Sequence, residues 1–433
     1  MLSINLFKDL YLTAKGIYLY KTLLKESAYW SKEKMKAFQY EHLLFLLKEA
    51  KNHVPYYKKL FSEIQFDPLS DFKELQDIEK IPVLTKEIAR KEKANLVHPI
   101  YSKNAMRFRT SGSTGEPFEV FVSNNAWAIE QGVVWRHWKW SGYKFRQPMA
   151  MVRSFTPKND ADLMRHDKIR NIYYFSPFHL NDHFIEIILE QLKKNKISAL
   201  RGYPSSIATI ASYLHKKGIV HKGIKLILTA SEHLSALDRK LIETAFNCRV
   251  TNHYGLAEIC VMMGDCENHN GLHNYDDYGY LELHPTNNSK EKRIIGTNLH
   301  NIATPLIRYD TGDIAILKDE SCGCGKTLYT VDNVLGRKDN VIITTSGFQI
   351  PTVNFYTMFE NFQEIERWQI IQESVDTLIF IVKSNNFSKE RKELLINSIK
   401  SRIRDSMNIT IKINEPFIQK YEGKINPFVS YLQ

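Results

Sequence analysis

The sequence predicts an α/β protein, α+β as a whole, with a large N-terminal domain of layered sheets and helices and a small C-terminal α+β domain. Three observations support this. The chain has 433 residues, 43% of them hydrophobic, which is enough for more than one packed core. Apolar runs alternate with helical patterns in the middle of the chain, which is typical of a largely parallel sheet. Near the end, strands and helices alternate again within about 95 residues.

The elements follow in a clear order. Residues 1–65 show helical periodicity with a break at Pro55, which predicts a helical cover. The middle of the chain predicts strand–helix units, with strands at 148–152, 199–200 and 224–229 and helices at 184–192 and 205–215. Glycine-punctuated strands over 278–343 predict a β-rich subdomain.

The C-terminal segment has a βαββαβ order. We expect strands at 341–345, 368–371, 377–382 and 410–413, and helices at 354–362 and 389–407. A boundary near Lys338 then separates an N-terminal domain, 1–337, from a C-terminal domain, 338–433.

Charge and cysteine content narrow the function classes. The net charge of +11 is scattered along the chain, and it favours phosphate-bearing molecules, an anionic membrane surface or nucleic acid about equally. No motif typical of nucleic-acid binding supports the last. Five cysteines in so long a chain favour a reducing compartment, and the N-terminus has no apolar span of about 20 residues, so we expect a cytoplasmic protein.

The N-terminal helix carries an apolar stripe with basic flanks. We expect this stripe to dock on the protein's own body, with peripheral membrane contact as the alternative. It consists of Leu6, Phe7, Leu10, Tyr11, Ala14, Ile17 and Tyr18.

A loop of small and hydroxylated residues, 109–118, is the most informative segment. Small residues let backbone N–H groups converge on an anion, and hydroxyl groups add further donors, which predicts a nucleotide phosphate site. The absence of a Gly-Lys-Ser/Thr sequence argues against the NTPase P-loop. The predicted phosphate contacts are Thr110, Ser111, Gly112, Ser113, Thr114 and Gly115.

Four further segments accompany this loop: His253-Tyr254-Gly255-Leu256-Ala257-Glu258, Arg308-Tyr309-Asp310-Thr311-Gly312-Asp313, Gly336-Arg337-Lys338-Asp339-Asn340 and Glu422-Gly423-Lys424. In this order and spacing they resemble the motifs of the adenylate-forming superfamily. Val54-Pro55-Tyr56-Tyr57 and Arg201-Gly202-Tyr203-Pro204-Ser205 resemble the phenylacetate-CoA ligase branch with its capsular-polysaccharide relatives.

The resemblance implies roles for these residues. His253, Tyr254 and Gly255 would form the adenine site, Glu258 would hold Mg²⁺, and Asp313 would accept the ribose hydroxyls. Arg308 and Arg337 would bind nucleotide, with a hinge after Arg337 that makes the C-terminal domain mobile. Lys424 would stabilise the adenylation transition state, as would Thr110 and Glu258. Ser231 and Glu232 stand where relatives often have a glycine-rich turn, so we assign them to the nucleotide site with a departure from the family pattern.

Cysteines and histidines suggest a structural metal. Cys322-Gly323-Cys324 presents two thiols on a tight turn, and Cys266 with one imidazole could complete a tetrahedral Zn²⁺ site. His273 is our first choice because relatives carry a Leu-His at this spacing, and His269 is the second. Buried cysteines without a metal are the alternative.

The resemblance implies an enzyme that uses ATP to convert a carboxylic acid to an acyl-adenylate with release of pyrophosphate, and then transfers the acyl group to CoA or to an amine, releasing AMP. A role in polysaccharide biosynthesis fits the resemblance. Aromatic residues that could line the acyl pocket are His137, Trp138 and Tyr203. The alternative is an inactive scaffold of the same fold that binds nucleotide.

Overall fold

The protein was analysed as a computed structural model, in which the described residues form two compact units. The first lies within Met1–Thr110, Phe118–Tyr143 and Thr251–Gly336, and the second within Lys144–Val250 and Arg337–Gln433. The structure describes residues 6–432 apart from 110–117, 156, 158–161, 233, 235, 287–288, 337–340, 353–354, 356–357, 360, 363, 385, 404, 421–423 and 426–427.

Helices cover the start of the first unit, as predicted. The hydroxyl of Ser31 accepts a hydrogen bond from the Lys34 N–H and caps the long helix α3, which ends at the extended residue Val54 before Pro55. The helices are α1 (Leu6–Leu19), a π-helical segment (Tyr20–Leu24), α2 (Lys25–Ser27), α3 (Lys32–His53), α4 (Pro55–Glu63), a 3₁₀ segment (Leu75–Lys80) and α5 (Lys86–Lys91).

Two glycines let α1 pack closely on a later helix. The hairpin β1 (Met106–Arg109) and β2 (Glu119–Val122) leads into α6 (Asn124–Trp140), which Ser123 caps. A Cβ on Gly16 would lie 2.8 Å from the Ala128 carbonyl oxygen, and one on Gly132 would lie 2.8 Å from the Gly16 carbonyl oxygen. The two helix backbones are in contact at this crossing, so no residue larger than glycine fits there.

The second unit contains the parallel sheet that the alternating pattern predicts. Its strands lie in the order β7, β6, β3, β5, β4, and only β4 runs antiparallel to its neighbour. Every residue of β7 is buried, as expected where helices cover both faces. The elements are β3 (Met149–Val152), β4 (Met164–Asp167), β5 (Ile172–Phe175), α7 (Asp182–Lys194), β6 (Ala199–Gly202), α8 (Pro204–Lys216), β7 (Leu226–Ala230) and α9 (Ala236–Phe246).

An antiparallel ladder forms the β-rich part of the first unit. Its order is β11, β12, β13, β14, β10, β9, β8. It begins earlier than predicted, because the short strands near residue 262 are too brief to show a clear alternation. The strands are β8 (Val250–Gly255), β9 (Met262–Asp265), β10 (Leu272–Asn274), β11 (Gly279–Pro285), β12 (Glu291–Asn298), β13 (Tyr309–Leu317) and β14 (Thr330–Gly336).

The C-terminal segment has its own hydrophobic core, which includes Ile370, Phe380 and Leu395. Its main sheet has the order β19, β18, β17, β22. The predicted helix 389–407 ends early, since the Arg402 N–H bonds to the Ile399 carbonyl in a tightened last turn. The elements are β15 (Val341–Ile343), β16 (Gln349–Pro351), β17 (Ile365–Ser374), β18 (Thr377–Ser384), α10 (Lys389–Lys400), β19 (Asn408–Ile413), β20 (Gln419–Lys420), β21 (Lys424–Ile425) and β22 (Phe428–Ser430).

The predicted α/β fold class is confirmed, with large and small sheets flanked by helices. Among the described residues, no helix combines the length and apolar character needed to cross a bilayer.

Candidate active site

Two buried carboxylates of the first unit are each held by a tyrosine hydroxyl. Tyr254 donates a hydrogen bond of 2.7 Å to Asp313 Oδ2, and Tyr309 donates one of 2.9 Å to Glu258 Oε1. Burial, with the Asp313 charge as a further cause, raises the pKa of Tyr254 well above its usual value. The phenol is a hydrogen-bond donor at neutral pH, and the raised pKa keeps it protonated in alkaline solution as well.

Local backbone geometry places both carboxylates. His253, Tyr254 and Gly255 end strand β8, and Glu258 lies in the turn that follows. In β13 the φ angle of Gly312 is +72°, a conformation that glycine adopts without strain. The Asp313 N–H then donates to Thr311 Oγ1 at 3.1 Å, which orients the aspartate. The sequence reasoning thus named three residues, Tyr254, Glu258 and Asp313, that the structure brings together.

Arg308, a predicted nucleotide ligand, is buried in the first unit and forms several hydrogen bonds there. Its Nε donates to Glu282 Oε1 at 3.0 Å, and its Nη1 donates to the carbonyl oxygens of Glu79 and Ile81. The side chain is 6% exposed. These contacts tie the start of β13 to β11 and to the segment before α5, which is a positioning role.

Lys86 is a site residue that sequence reasoning missed. Its ammonium group donates to the Thr311 carbonyl oxygen, beside the turn that carries Asp313. Leu84, two residues earlier, exchanges backbone hydrogen bonds with Arg308 and Asp310. Since these contacts span more than 220 residues of sequence, no local pattern signalled them.

The predicted acyl-pocket residues of α6 lie in two settings. His137 Nδ1 lies 2.8 Å from the Tyr275 hydroxyl, and its ring meets the His253 ring edge-on at 5.2 Å. A Cβ on Gly264 would collide with both His137 and Tyr275, so glycine permits this contact. Trp138 packs against Trp135 and Tyr143 in an aromatic cluster and is 8% exposed.

Tyr203, Ser231 and Glu232 lie in the second unit, at the carboxyl ends of parallel strands. Tyr203 follows β6, and Ser231 follows β7 with a φ angle of +73°. Glu232 Oε2 accepts a hydrogen bond of 3.0 Å from the Ser205 N–H and so caps the N-terminus of α8, where a negative charge is stabilised.

Three cysteines and a histidine form a tight cluster in the first unit. Cys266 Sγ lies 3.3 Å from Cys322 Sγ, and Cys324 Sγ lies 3.4 Å from His273 Nε2. All four ligand atoms lie within 4.8 Å of one another. Thr330 Oγ1 lies 3.1 Å from His273 Nδ1, the hydrogen-bond partner that a metal-bound imidazole needs on its other nitrogen. His269 instead lies near Asp265 and is not in this cluster.

Some predicted site residues lie outside the described part of the chain. These are the phosphate loop with Thr110, Ser111, Gly112, Ser113, Thr114 and Gly115, and also Arg337. Lys424 lies on β21, but its side chain is outside the description. The strands β1 and β2 on either side of the phosphate loop pair with each other.

The chain is similar to several known proteins in sequence and in fold. A family profile described as the CapK C-terminal domain matches residues 342–430. A phenylacetate-coenzyme A ligase of Thermus thermophilus is 25% identical over 423 residues, covering 88% of this chain and 92% of the relative. Protein CapK of Staphylococcus aureus is 23% identical over 433 residues, covering 96% and 94%. A crystal structure of 2-hydroxyisobutyryl-CoA ligase in complex with 2-HIB-AMP and CoA is similar with a TM-score of 0.63 and 17% identity, covering 94% of this chain and 91% of that one.

The fold is therefore that of the adenylate-forming CoA ligases. Within that class, the chain is similar in sequence to phenylacetate-coenzyme A ligases and to protein CapK, which bears out the prediction of an adenylate-forming enzyme. The resemblance read from the motifs is confirmed at this level.

Proposed function

We propose that the protein uses ATP to activate a carboxylic acid and then transfers the acyl group to CoA or to an amine. The substrate carboxylate attacks the α-phosphorus of ATP, and pyrophosphate leaves with the electron pair of the broken P–O bond. The acceptor thiol or amine then attacks the acyl carbon, and AMP leaves. The convergence of Tyr254, Glu258 and Asp313 carries this proposal, because two buried carboxylates then lie near Tyr254, one suited to hydroxyl groups and the other to a cation.

The proposed nucleotide ligands fall into two groups, those for the ribose and adenine and those for the phosphates. Asp313 accepts the ribose hydroxyls, the Tyr254 ring contacts adenine beside His253 and Gly255, and Ser231 with Glu232 belongs to the nucleotide site. The phosphate loop from Thr110 to Gly115, with Arg337 and Lys424, binds the phosphates and the developing charge. Arg308 positions β13, although the motif first suggested direct nucleotide contact.

Glu258 fits a magnesium ligand. Its Oε1 accepts the Tyr309 hydroxyl, while no described residue donates to its Oε2. Magnesium prefers such hard carboxylate oxygen, and when bound it neutralises charge on the phosphate oxygens. Glu258→Gln would keep the Tyr309 contact and weaken the cation site.

The acceptor is proposed from the relatives. Four of the curated relatives are phenylacetate-coenzyme A ligases, which supports CoA. The match to CapK supports a role in polysaccharide biosynthesis, and an amine remains the alternative acceptor in this proposal. His137, Trp138 and Tyr203 are the proposed acyl-pocket residues.

Acid-dependent exchange of labelled pyrophosphate into ATP, over a panel of aryl, fatty and hydroxy acids, tests the first step. We expect exchange with at least one acid and its loss, by at least about 100-fold, in Asp313→Ala. Asp319→Ala, an exposed aspartate on the loop after β13, is the matched control. ATP binding with no exchange for any acid would instead support the inactive-scaffold alternative.

We also propose a structural Zn²⁺ at Cys266, His273, Cys322 and Cys324. In a tetrahedron with Zn–S bonds of about 2.3 Å, neighbouring sulfurs lie about 3.7 Å apart. The observed 3.3 Å between Cys266 and Cys322 is close to that spacing, and Thr330 orients His273. The site would tie the loop between β13 and β14 to β9 and β10. Thiols available for metal binding suit a reducing compartment, in keeping with the cytoplasmic location that we propose from the cysteine content of the chain.

Metal analysis of protein purified without chelator tests the zinc proposal. We expect one zinc per chain, its loss in Cys322→Ser, and retention in Cys248→Ser, since Cys248 lies outside the cluster. Zinc-free wild-type protein with unchanged thermal stability after chelator treatment would contradict the proposal.

A contact with anionic membrane is proposed for the exposed face of α1. The helix packs on α6 through Gly16, but the predicted stripe does not dock as expected, since its residues Phe7, Tyr11 and Tyr18 are 80%, 64% and 64% exposed. At helical spacing these aromatic residues line one face, which Lys8 and Lys15 flank on one side. Charge complementarity therefore favours an anionic lipid surface over a neutral one.

Sedimentation with phosphatidylcholine vesicles, with and without phosphatidylglycerol, tests this contact. We expect binding only with the anionic lipid, and its loss in the triple variant Phe7→Ser, Tyr11→Ser, Tyr18→Ser. The control variant Leu69→Ser changes an equally exposed apolar residue elsewhere. Equal binding by the triple variant, or none by the wild type, would overturn the proposal.

A further inference from the structure

The parallel sheet of the second unit brings an arginine to the edge where ligands bind in such sheets. Arg153 directly follows β3, as Tyr203 follows β6 and Ser231 follows β7. Strands β3, β6 and β7 are parallel neighbours, so these three residues share the carboxyl edge. Ligands of open α/β sheets bind beyond that edge.

The Arg153 guanidinium is held in place by neutral groups. Its Nη2 donates to Ser231 Oγ at 3.0 Å, and its carbon lies 5.4 Å from the centre of the Tyr203 ring. The Tyr203 hydroxyl in turn lies 3.3 Å from Ser154 Oγ. Glu232, the nearby acid, directs an oxygen to the Ser205 N–H, and no described carboxylate forms an ion pair with Arg153.

One guanidinium nitrogen has no acceptor. Nη1 of Arg153 is inaccessible to solvent, and no described residue accepts a hydrogen bond from it. A buried donor left in this state destabilises the folded protein, and the penalty is larger for a charged group. The guanidinium is thus held in position and partly dehydrated, and its Nη1 lacks an acceptor that an anionic ligand could supply.

The residues that hold Arg153 have unusual backbone conformations. Ser154 and Ser231 have φ angles of +53° and +73°, in the left-handed region that non-glycine residues rarely adopt. Such strain is found disproportionately at ligand sites, where the surrounding structure maintains it. Here both strained serines place hydroxyl groups around one guanidinium.

We propose that Arg153 binds an anionic group, a carboxylate or a phosphate, of the ligand at this edge. A planar guanidinium pairs with two oxygens of such a group at once, which a lysine cannot do. The inference rests on the proposed function and deepens it. The anion is either a second carboxylate or phosphate on the acid to be activated, or a phosphate of the nucleotide.

Variants Arg153→Met and Arg153→Lys test the proposal in two assays. The first is acid-dependent pyrophosphate exchange with matched pairs, such as hexanoate with adipate and phenylacetate with 4-carboxyphenylacetate. The second is calorimetric titration with AMP and with each acid alone. Arg165→Met is the control, since Arg165 also lies over a tyrosine ring, that of Tyr174, but on strand β4.

If the anion belongs to the acid, Arg153→Met lowers kcat/KM for the dianionic acid about 10- to 100-fold and leaves its monoanionic partner within about threefold. If it belongs to the nucleotide, AMP affinity falls by a similar factor and every acid is affected alike. In either case Arg153→Lys recovers only part of the loss.

Unchanged AMP affinity together with unchanged acid selectivity would overturn the inference, as would a loss explained entirely by lower thermal stability. If no acid supports exchange, the proposed function is wrong, and this outcome is separate from the Arg153 inference. The titrations still decide whether Arg153 binds an anion.

Discussion

At the scale of single residues, the site works through side chains that hold other side chains. Tyr254 holds Asp313, Tyr309 holds Glu258, and Glu282 holds Arg308. The motifs identified both members of the first pair and Glu258 of the second, because carboxylates in a Tyr-Gly-x-x-Glu or Thr-Gly-Asp context carry recognisable chemistry. Glu282 and Lys86 carried no such signal, because their roles arise from contacts far away in sequence.

Asp313→Asn should weaken ATP binding about 10- to 100-fold. The amide keeps the size of the carboxylate but loses the negative charge that favours two hydroxyl donors. Calorimetric titration with ATP measures the change, and Asp319→Asn, an exposed aspartate, serves as the control. Equal affinities of Asp313→Asn and wild type would remove Asp313 from the nucleotide site.

Arg308→Lys should lower the free energy of unfolding by about 2–3 kcal/mol. A lysine cannot reproduce the fork that meets Glu282 and two carbonyl oxygens, and the site is buried. Urea denaturation measures the loss. Arg293→Lys, at a half-exposed ion pair with Asp310, should cost less than about 1 kcal/mol. A fully stable Arg308→Lys variant that fails to bind ATP would point to direct nucleotide contact instead.

At the scale of elements, the sequence predicted long periodic segments well and short ones poorly. The strand–helix units around β3, β6 and β7 appear within two residues of their predicted positions, since buried apolar strands and capped helices have strong signals. Strands of two or three residues such as β10, β16 and β20 were missed. In so short a strand, pairing with neighbours determines the conformation more than local composition does.

Gly132→Ala should loosen α1 from α6. The added methyl group would lie 2.7 Å from the Leu24 side chain and 2.8 Å from the Gly16 carbonyl oxygen, so the helices must separate. We expect a stability loss of about 1–3 kcal/mol and faster proteolytic cleavage within α1. Ala14→Ser, on the exposed side of α1, should leave both unchanged. Unaltered proteolysis of Gly132→Ala would show that the crossing tolerates expansion.

At the scale of the whole molecule, a buried histidine makes stability depend on pH. His300 lies 2.7 Å from the Asp277 carbonyl oxygen, and burial lowers its pKa from 6.5 to about 4. Between these values the unfolded chain binds a proton that the folded chain does not. Folding free energy from this group is therefore complete above about pH 6.5 and is lost progressively as the pH falls towards 4.

Chemical denaturation between pH 7 and pH 4 measures this dependence. We expect the difference between wild type and His300→Gln, which keeps an N–H donor but does not titrate, to shift by about 3 kcal/mol across the range. Parallel pH profiles for the two proteins would assign the acid sensitivity to other groups.

The route of the chain through the first unit has a consequence for biosynthesis. Buried Arg136 of α6 pairs with Asp277 at 2.9 Å and with the Leu24 carbonyl oxygen, so it joins segments that leave the ribosome far apart in time. Until residue 277 emerges, that cation and the apolar faces of the first helices lack their native neighbours. The N-terminal part of the first unit therefore stays incompletely folded while residues 144–250 of the second unit are translated. Binding by chaperones is most needed during that interval.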